Sequence, residues 1–177
     1  FAKRLREFHL HEPTGIELDG EGKPYMKDPS NPDHGWSGTT LPWMSTGYEC
    51  RMTPLQILRL YNAVANDGKM MKPYIVSEIT REGRTIKRFK PQVVDSRIAS
   101  SSTIEKAQEL LKGVVESGTG KDYKPDHYMF SGKTGTAQKL DRDTGTYSKS
   151  RHVSSLVCGA PVHRPQVLVL VTVDETT

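Results

Sequence analysis

The sequence predicts a mixed α/β fold of the α+β kind: an antiparallel sheet with helices packed on it. Two observations carry this. Residues 54–66 and 103–117 repeat apolar side chains at helical spacing and are bounded by cap residues. Residues 128–139, 152–160 and 167–173 are three strand-like segments joined by short links, the pattern of an antiparallel meander. Sheet and helices each have an apolar side to bury, so they are expected to cover one another. A length of 177 residues suits one domain or a large piece of one.

Each element follows from local signals. Residues 1–10 read as the end of an amphipathic helix, with Leu5 and Phe8 on one side. Residues 11–47 are dense in Gly, Pro and Asx turn signals, and Trp36 and Trp43 are expected to pin this loop to the body. Thr53 is placed as an N-cap, Pro54 at the first helical position and Gln56 as the partner in a capping box. Ile57, Leu58, Tyr61, Val64 and Ala65 then form a stripe read as core, and Asn66-Asp67-Gly68 stops the helix. Residues 74–80 and 85–89 read as a hairpin turning through Glu82-Gly83. Ser102 is expected to cap a second helix, with Glu105 closing a capping box; Ile104, Ala107, Leu111 and Val114 form its stripe, and Gly118 ends it. A turn at 118–121, a polar run at 141–150 that includes Arg142, and a turn at 162–166 separate the remaining strands. The chain thus divides into a loop-rich cover (1–52), helices and hairpin (53–127) and a three-stranded sheet (128–177).

Composition excludes several classes. The 25 basic and 21 acidic residues are interspersed and leave a formal charge of +4, which argues against a nucleic-acid partner. The longest apolar run, 167–173, interrupted by Thr172, is too short to span a membrane, and no signal peptide is visible. The chain opens on Phe1, inside a helix-like segment, and is expected to be part of a longer protein. Cys50 and Cys158 are far apart; a disulfide between them is left open, with a buried free thiol expected at Cys158. No Cys-x-x-Cys pair exists, and His9 and His11 read as loop residues rather than zinc ligands. No cofactor motif is present.

The chemistry concentrates in Phe130-Ser131-Gly132-Lys133-Thr134-Gly135-Thr136-Ala137-Gln138. In an extended strand, alternation puts Thr134 and Thr136 on one face and Lys133 on the other. Gly135 lets a ligand approach the backbone closely, and an edge strand would offer N–H groups to a developing oxyanion. Such a surface suits an acyl substrate with a carboxylate tail. A phosphate loop would need glycine five positions before Gly132, where His127 stands. A plain threonine-rich strand with a glycine bulge is the alternative that the run alone leaves open.

The order of motifs then resembles a known family. Lys133-Thr134-Gly135-Thr136 is similar to the third signature of penicillin-binding proteins and serine β-lactamases, whose first two are Ser-x-x-Lys and Ser-x-Asn. Thr53-Pro54-Leu55-Gln56 leading to Tyr61-Asn62-Ala63-Val64-Ala65-Asn66-Asp67-Gly68 is more specific, as is Val114-Val115-Glu116-Ser117-Gly118-Thr119-Gly120 shortly before the Lys-Thr-Gly run. Thr14-Gly15-Ile16-Glu17-Leu18 and Leu156-Val157-Cys158-Gly159-Ala160-Pro161 complete a collinear series. Together these resemble class B penicillin-binding proteins of the septal, cell-division type, and the chain resembles the C-terminal half of their transpeptidase domain.

The resemblance implies a peptidoglycan D,D-transpeptidase that acts through a serine acyl-enzyme and is acylated by β-lactam antibiotics. It implies that Lys133 shapes the electrostatics, that Thr134 and Thr136 hold the donor carboxylate and amide, that Gly135 permits close approach, and that the Thr136 N–H is one oxyanion donor. Peptidoglycan stem peptides are the implied substrates. A membrane glycan polymerase and division proteins are the implied partners of a parent held on the extracytoplasmic face of the membrane by an N-terminal anchor. No Ser-x-x-Lys or Ser-x-Asn occurs in this chain, so the nucleophile is expected upstream and the chain alone is expected to be inactive. A β-lactamase or D,D-carboxypeptidase of the same fold, and a non-catalytic β-lactam sensor, are the alternatives.

Overall fold

A computed structural model describes residues 1–141 and 143–176; Arg142, within the expected polar run, lies outside them. The elements in order are α1 (Ala2–Glu7), β1 (Tyr25–Met26), α2 (Thr40–Ser45), β2 (Cys50–Arg51), α3 (Pro54–Ala65), β3 (Met70–Met71), β4 (Glu78–Arg81), β5 (Arg84–Arg88), β6 (Val93–Asp95), α4 (Ser101–Glu116), β7 (Ser131–Leu140), β8 (Tyr147–Ala160) and β9 (Val167–Thr176). Three two-stranded antiparallel ribbons, β1–β2, β3–β6 and β4–β5, accompany one three-stranded antiparallel sheet of order β7-β8-β9. α4 packs beside β7, and α3 lies against β8 and β9. The mixed fold class and the meander expected from the sequence are both present.

α3 starts as its sequence requires. Thr53 is extended, its hydroxyl accepts from the Gln56 N–H at 3.2 Å, and the Gln56 carboxamide oxygen accepts from the Thr53 N–H at 2.8 Å. Gln56 then does more than cap. It is fully buried, and its Nε2 donates to the Glu12 carbonyl at 2.7 Å. One turn on, Arg59 is 5% exposed and donates to the His9 carbonyl at 2.8 Å. The N-terminal loop is therefore strapped to α3 by polar side chains. This corrects the expected stripe: Gln56, Arg59 and Ala63 are the buried residues of α3, while Ile57, Leu58, Tyr61, Val64 and Ala65 are half-buried. The loop wraps a side of the helix that periodicity marks as polar.

Two apolar clusters form the core. Ala63, Met70, Ile98 and Ile104 make one; Leu10, Met26 and Met44 make the other; Phe8 and Leu60 touch both. Leu5 and Trp36 join the second cluster, so the expected helix side and the expected loop pin are found there. Glu21 supports the same loop. Burial alone would raise its carboxyl, but hydrogen bonds from Thr14 and Gly15 and the nearby Arg59 charge outweigh this and hold it below the usual carboxylate range.

Two expectations shift. The cap of α4 is Ser100, not Ser102: Ser100 is extended and accepts from the Thr103 N–H at 3.3 Å, so Thr103 rather than Glu105 occupies the third helical position and no Glu105 capping box forms. The hairpin turns at Glu82 (φ 51°) and Gly83 (φ 75°), as expected. β4, however, begins later than expected, at Glu78, and β5 one residue earlier, at Arg84; every residue of both is exposed, so their apolar alternation marks no core face. Cys50 and Cys158 are both free and half-buried, and burial raises each thiol.

Thr53→Ala removes a capping acceptor and is expected to cost about 1 kcal/mol. Gln56→Ala removes the reciprocal cap and also leaves the half-buried Glu12 carbonyl without its donor, so it is expected to cost about 1–3 kcal/mol more. Chemical denaturation of both variants checks the order.

Candidate functional site

The Lys-Thr-Gly run lies in β7, an edge strand of the sheet. Its pairing with β8 is regular from Ser131↔Gly159 to Gln138↔His152. Three contacts show which peptide groups face outward. The Met129 carbonyl accepts from Val162 N, just beyond β8, at 3.2 Å. The Ser155 hydroxyl on β8 donates to the Gly135 carbonyl at 3.4 Å. The Gln138 N–H donates to the Tyr48 hydroxyl at 3.3 Å, away from β8. In an antiparallel pair, both peptide groups of a residue point to the same side, and neighbours alternate. Thr134, Thr136 and Gln138 thus direct N–H and C=O to the open edge, and Lys133, Gly135 and Ala137 direct theirs to β8.

The side chains add to this edge. Lys133 is exposed, and its ammonium donates to the outward carbonyl of Thr134 at 2.7 Å. The Thr134 hydroxyl is paired with the Thr119 hydroxyl at 2.9 Å. Thr136 is exposed. Gly132 and Gly135 mark where β7 is pressed against β8: a Cβ on Gly132 would fall 2.5 Å from the Val157 carbonyl, and one on Gly135 would fall 2.7 Å from the Ser155 hydroxyl. The structure therefore brings a cation, two hydroxyls and the Thr136 N–H to one strip. That strip can bind a carboxylate and polarise a carbonyl. Among the described residues no imidazole, carboxylate or amine is paired with either threonine hydroxyl, so neither is set up as a nucleophile.

Thr119 reaches β7 because of the two glycines beside it. A Cβ on Gly118 would come within 2.8 Å of the Val114 Cα, and one on Gly120 within 3.2 Å of the Val114 carbonyl. The chain leaving α4 must fold tightly on its last turn, and this delivers the Thr119 hydroxyl to Thr134. The sequence showed the Gly-Thr-Gly triplet but not its target.

Two further features flank the strip. On the α4 side an apolar groove of about 530 Å³ is lined by Phe8, Leu60, Ile104, Leu110 and Leu111, with Lys133 at its rim; Leu110 there is 73% exposed. At the far end of β7, Trp43, Tyr48 and Tyr147 cluster. Tyr48 meets Trp43 edge-on at 5.1 Å and Tyr147 at 4.9 Å, while Trp43 and Tyr147 stack at 6.1 Å. Trp43 was expected to pin the loop; the role of Tyr48 and Tyr147 was not legible.

Comparison with known proteins decides the family. The penicillin binding protein transpeptidase domain model matches residues 1–177. The chain belongs to the penicillin-binding protein transpeptidase family. Stage V sporulation protein D of Bacillus subtilis is 31% identical over 176 residues, covering 97% of this chain and 26% of that protein. A probable peptidoglycan D,D-transpeptidase, PenA of Neisseria flavescens, is 34% identical over 146 residues, covering 80% of this chain and 32% of that protein. Among solved structures, penicillin binding protein 3 of Mycobacterium tuberculosis, complexed with aztreonam, superposes with a TM-score of 0.84 at 28% identity, over 98% of this chain and 39% of that one. The chain spans about a quarter to a third of the length of these curated relatives. The family resemblance read from the motifs is thereby shown.

The two strand glycines should not be equivalent. The Gly132 Cβ would meet a backbone carbonyl that is fixed in the ladder, whereas the Gly135 Cβ would meet a hydroxyl that can rotate. Gly132→Ala is expected to destabilise by roughly 1–3 kcal/mol and Gly135→Ala by less. Thermal denaturation of the two variants compares them directly.

Proposed function

We propose that the parent protein is a serine-type peptidoglycan D,D-transpeptidase and that this chain, the C-terminal part of its transpeptidase domain, supplies the edge that holds the acyl donor. One observation carries the reading. The Thr136 N–H faces the free edge of β7, the Thr134 and Thr136 side chains share one face of that strand, and the Lys133 ammonium sits on the outward Thr134 carbonyl of the same edge. The motif order and the family membership support it.

The chemistry follows from the edge. A stem peptide lies along β7, with its terminal carboxylate on the Thr134 and Thr136 hydroxyls in the field of Lys133. A serine of the parent attacks the penultimate D-alanine carbonyl. The negative charge that develops on its oxygen is met by the Thr136 N–H and by the serine's own N–H. The C–N bond breaks, the amine takes a proton and D-alanine leaves. An amine of a neighbouring strand then attacks the ester, forming the cross-link and releasing the serine. A β-lactam presents a carboxylate and a strained amide to the same groups and acylates the same serine. The apolar groove beside Lys133 offers room for the segment that brings the serine. A cell-wall substrate implies an extracytoplasmic site. Among the described residues no helix is long and apolar enough to cross a membrane, so an anchor would come from elsewhere in the parent, where a glycan polymerase and division proteins are the partners the reading implies.

Intact-mass spectrometry with excess penicillin G tests this. The full-length parent is expected to gain one penicilloyl group, and this chain alone none. In the parent, Gly135→Leu is expected to slow acylation on the order of a hundred-fold. A stoichiometric adduct on this chain that is lost in Thr134→Ala or Thr136→Ala would place the nucleophile here and overturn the reading.

A further inference from the structure

Beyond Thr134, whose outward carbonyl is already taken by the Lys133 ammonium, the free edge of β7 offers two more outward N–H groups in succession, at Thr136 and Gln138. Two residues of extended chain separate them by about 7 Å. As donors they are alike, and side chains define register poorly on a strand that contains glycine. An extended acyl donor laid on this edge could direct the same carbonyl to either one. Only one of those registers can bring that carbonyl to a nucleophile held at a fixed position.

In the structure the second donor is already occupied. The Tyr48 hydroxyl accepts from the Gln138 N–H at 3.3 Å, across 90 residues of sequence. Tyr48 is held there by rings on separate elements. Trp43 belongs to α2, whose Met44 is 3% exposed in the core, and Tyr147 opens β8 opposite Leu140. The ring centroids lie 5.1 Å and 4.9 Å from that of Tyr48, at interplanar angles of 89° and 70°. Phenylalanine would satisfy the ring contacts equally well, so the packing does not explain the hydroxyl. Its contact is with the strand edge.

We propose that Tyr48 is a positioning residue, an edge stop whose hydroxyl occupies the Gln138 N–H so that an extended acyl donor pairs at Thr136 and does not slip two residues along β7. This rests on the acyl-donor role assigned to β7 above. The occupant excluded from Gln138 is a backbone carbonyl of the donor peptide. Removing the hydroxyl exposes a second, equivalent register in which the donor is bound but cannot react.

Unproductive binding has its own kinetic signature. It lowers kcat and KM by the same factor and leaves kcat/KM unchanged, whereas a packing defect in the site lowers kcat/KM. If the two registers are equal in energy, half of the bound donor is misplaced and both constants fall about two-fold. The test uses the full-length parent with an extended donor peptide ending in D-alanyl-D-alanine. In Tyr48→Phe, kcat and KM are expected to fall together; in Tyr147→Phe, which keeps the ring and touches no edge donor, neither should move. A fall in kcat/KM for Tyr48→Phe, or no change in either constant, overturns the proposal. Amide exchange gives a second check: the Gln138 N–H should exchange faster in Tyr48→Phe than in the wild type, and equal rates also overturn it. Penicillin G labelling of the wild-type parent separates the two levels. An unlabelled wild type sinks the acyl-donor reading itself, while a labelled wild type with unchanged Tyr48→Phe kinetics sinks only the edge stop.

Discussion

The antiparallel register between β7 and β8 is the constraint on which the site depends. With Gly135 opposite Ser155 and Gly132 opposite Cys158, every even-numbered peptide group of the run faces the open edge. A shift by one residue would turn the Thr136 N–H inward and move its side chain to the other face. The glycines make this register attainable, because a Cβ at Gly132 would collide with the Val157 carbonyl of the partner strand. Two hydroxyls, one ammonium and the outward Thr136 N–H then share a strip.

The rest of the chain places objects against that strip. α4 ends in two glycines that fold back on Val114, and the Thr119 hydroxyl is carried to Thr134. The loop before α3 brings Tyr48 to Gln138. That loop is anchored by α2 in the second core cluster and by the Thr53–Gln56 capping box that follows it. The buried polar straps from Gln56 and Arg59 to the Glu12 and His9 carbonyls fix the N-terminal residues whose Phe8 and Leu10 close the core. Where such a carbonyl is buried, losing its donor costs more than the net value of the bond. Loop geometry and site geometry are thus set by the same side chains.

Much of this was legible in the sequence, and the divide is physical. The α3 cap was readable because Thr53, Pro54 and Gln56 act within one turn. Face alternation around Gly135 was readable because it is a property of any extended strand. The α4 cap was misplaced because Ser100, Ser101 and Ser102 give the same signal, and only backbone angles separate them. Arg59 was assigned to no face because helical spacing cannot tell which loop will wrap the helix. The direction of the peptide groups in β7 depends on a partner about twenty residues away, and the Tyr48–Gln138 contact spans 90. Contacts of that range follow from the assembled sheet, not from any local pattern.

The central claim is that the outward N–H of Thr136 receives the charge that develops on the acyl carbonyl. The most direct test is a crystal structure of the full-length parent acylated by penicillin G. The account predicts an ester on a serine outside these 177 residues, with its carbonyl oxygen about 2.7–3.1 Å from the Thr136 nitrogen and the penicillin carboxylate on the Thr134 and Thr136 hydroxyls. An ester carbonyl directed away from β7, or hydrogen-bonded to Gln138 in place of Thr136, would contradict it.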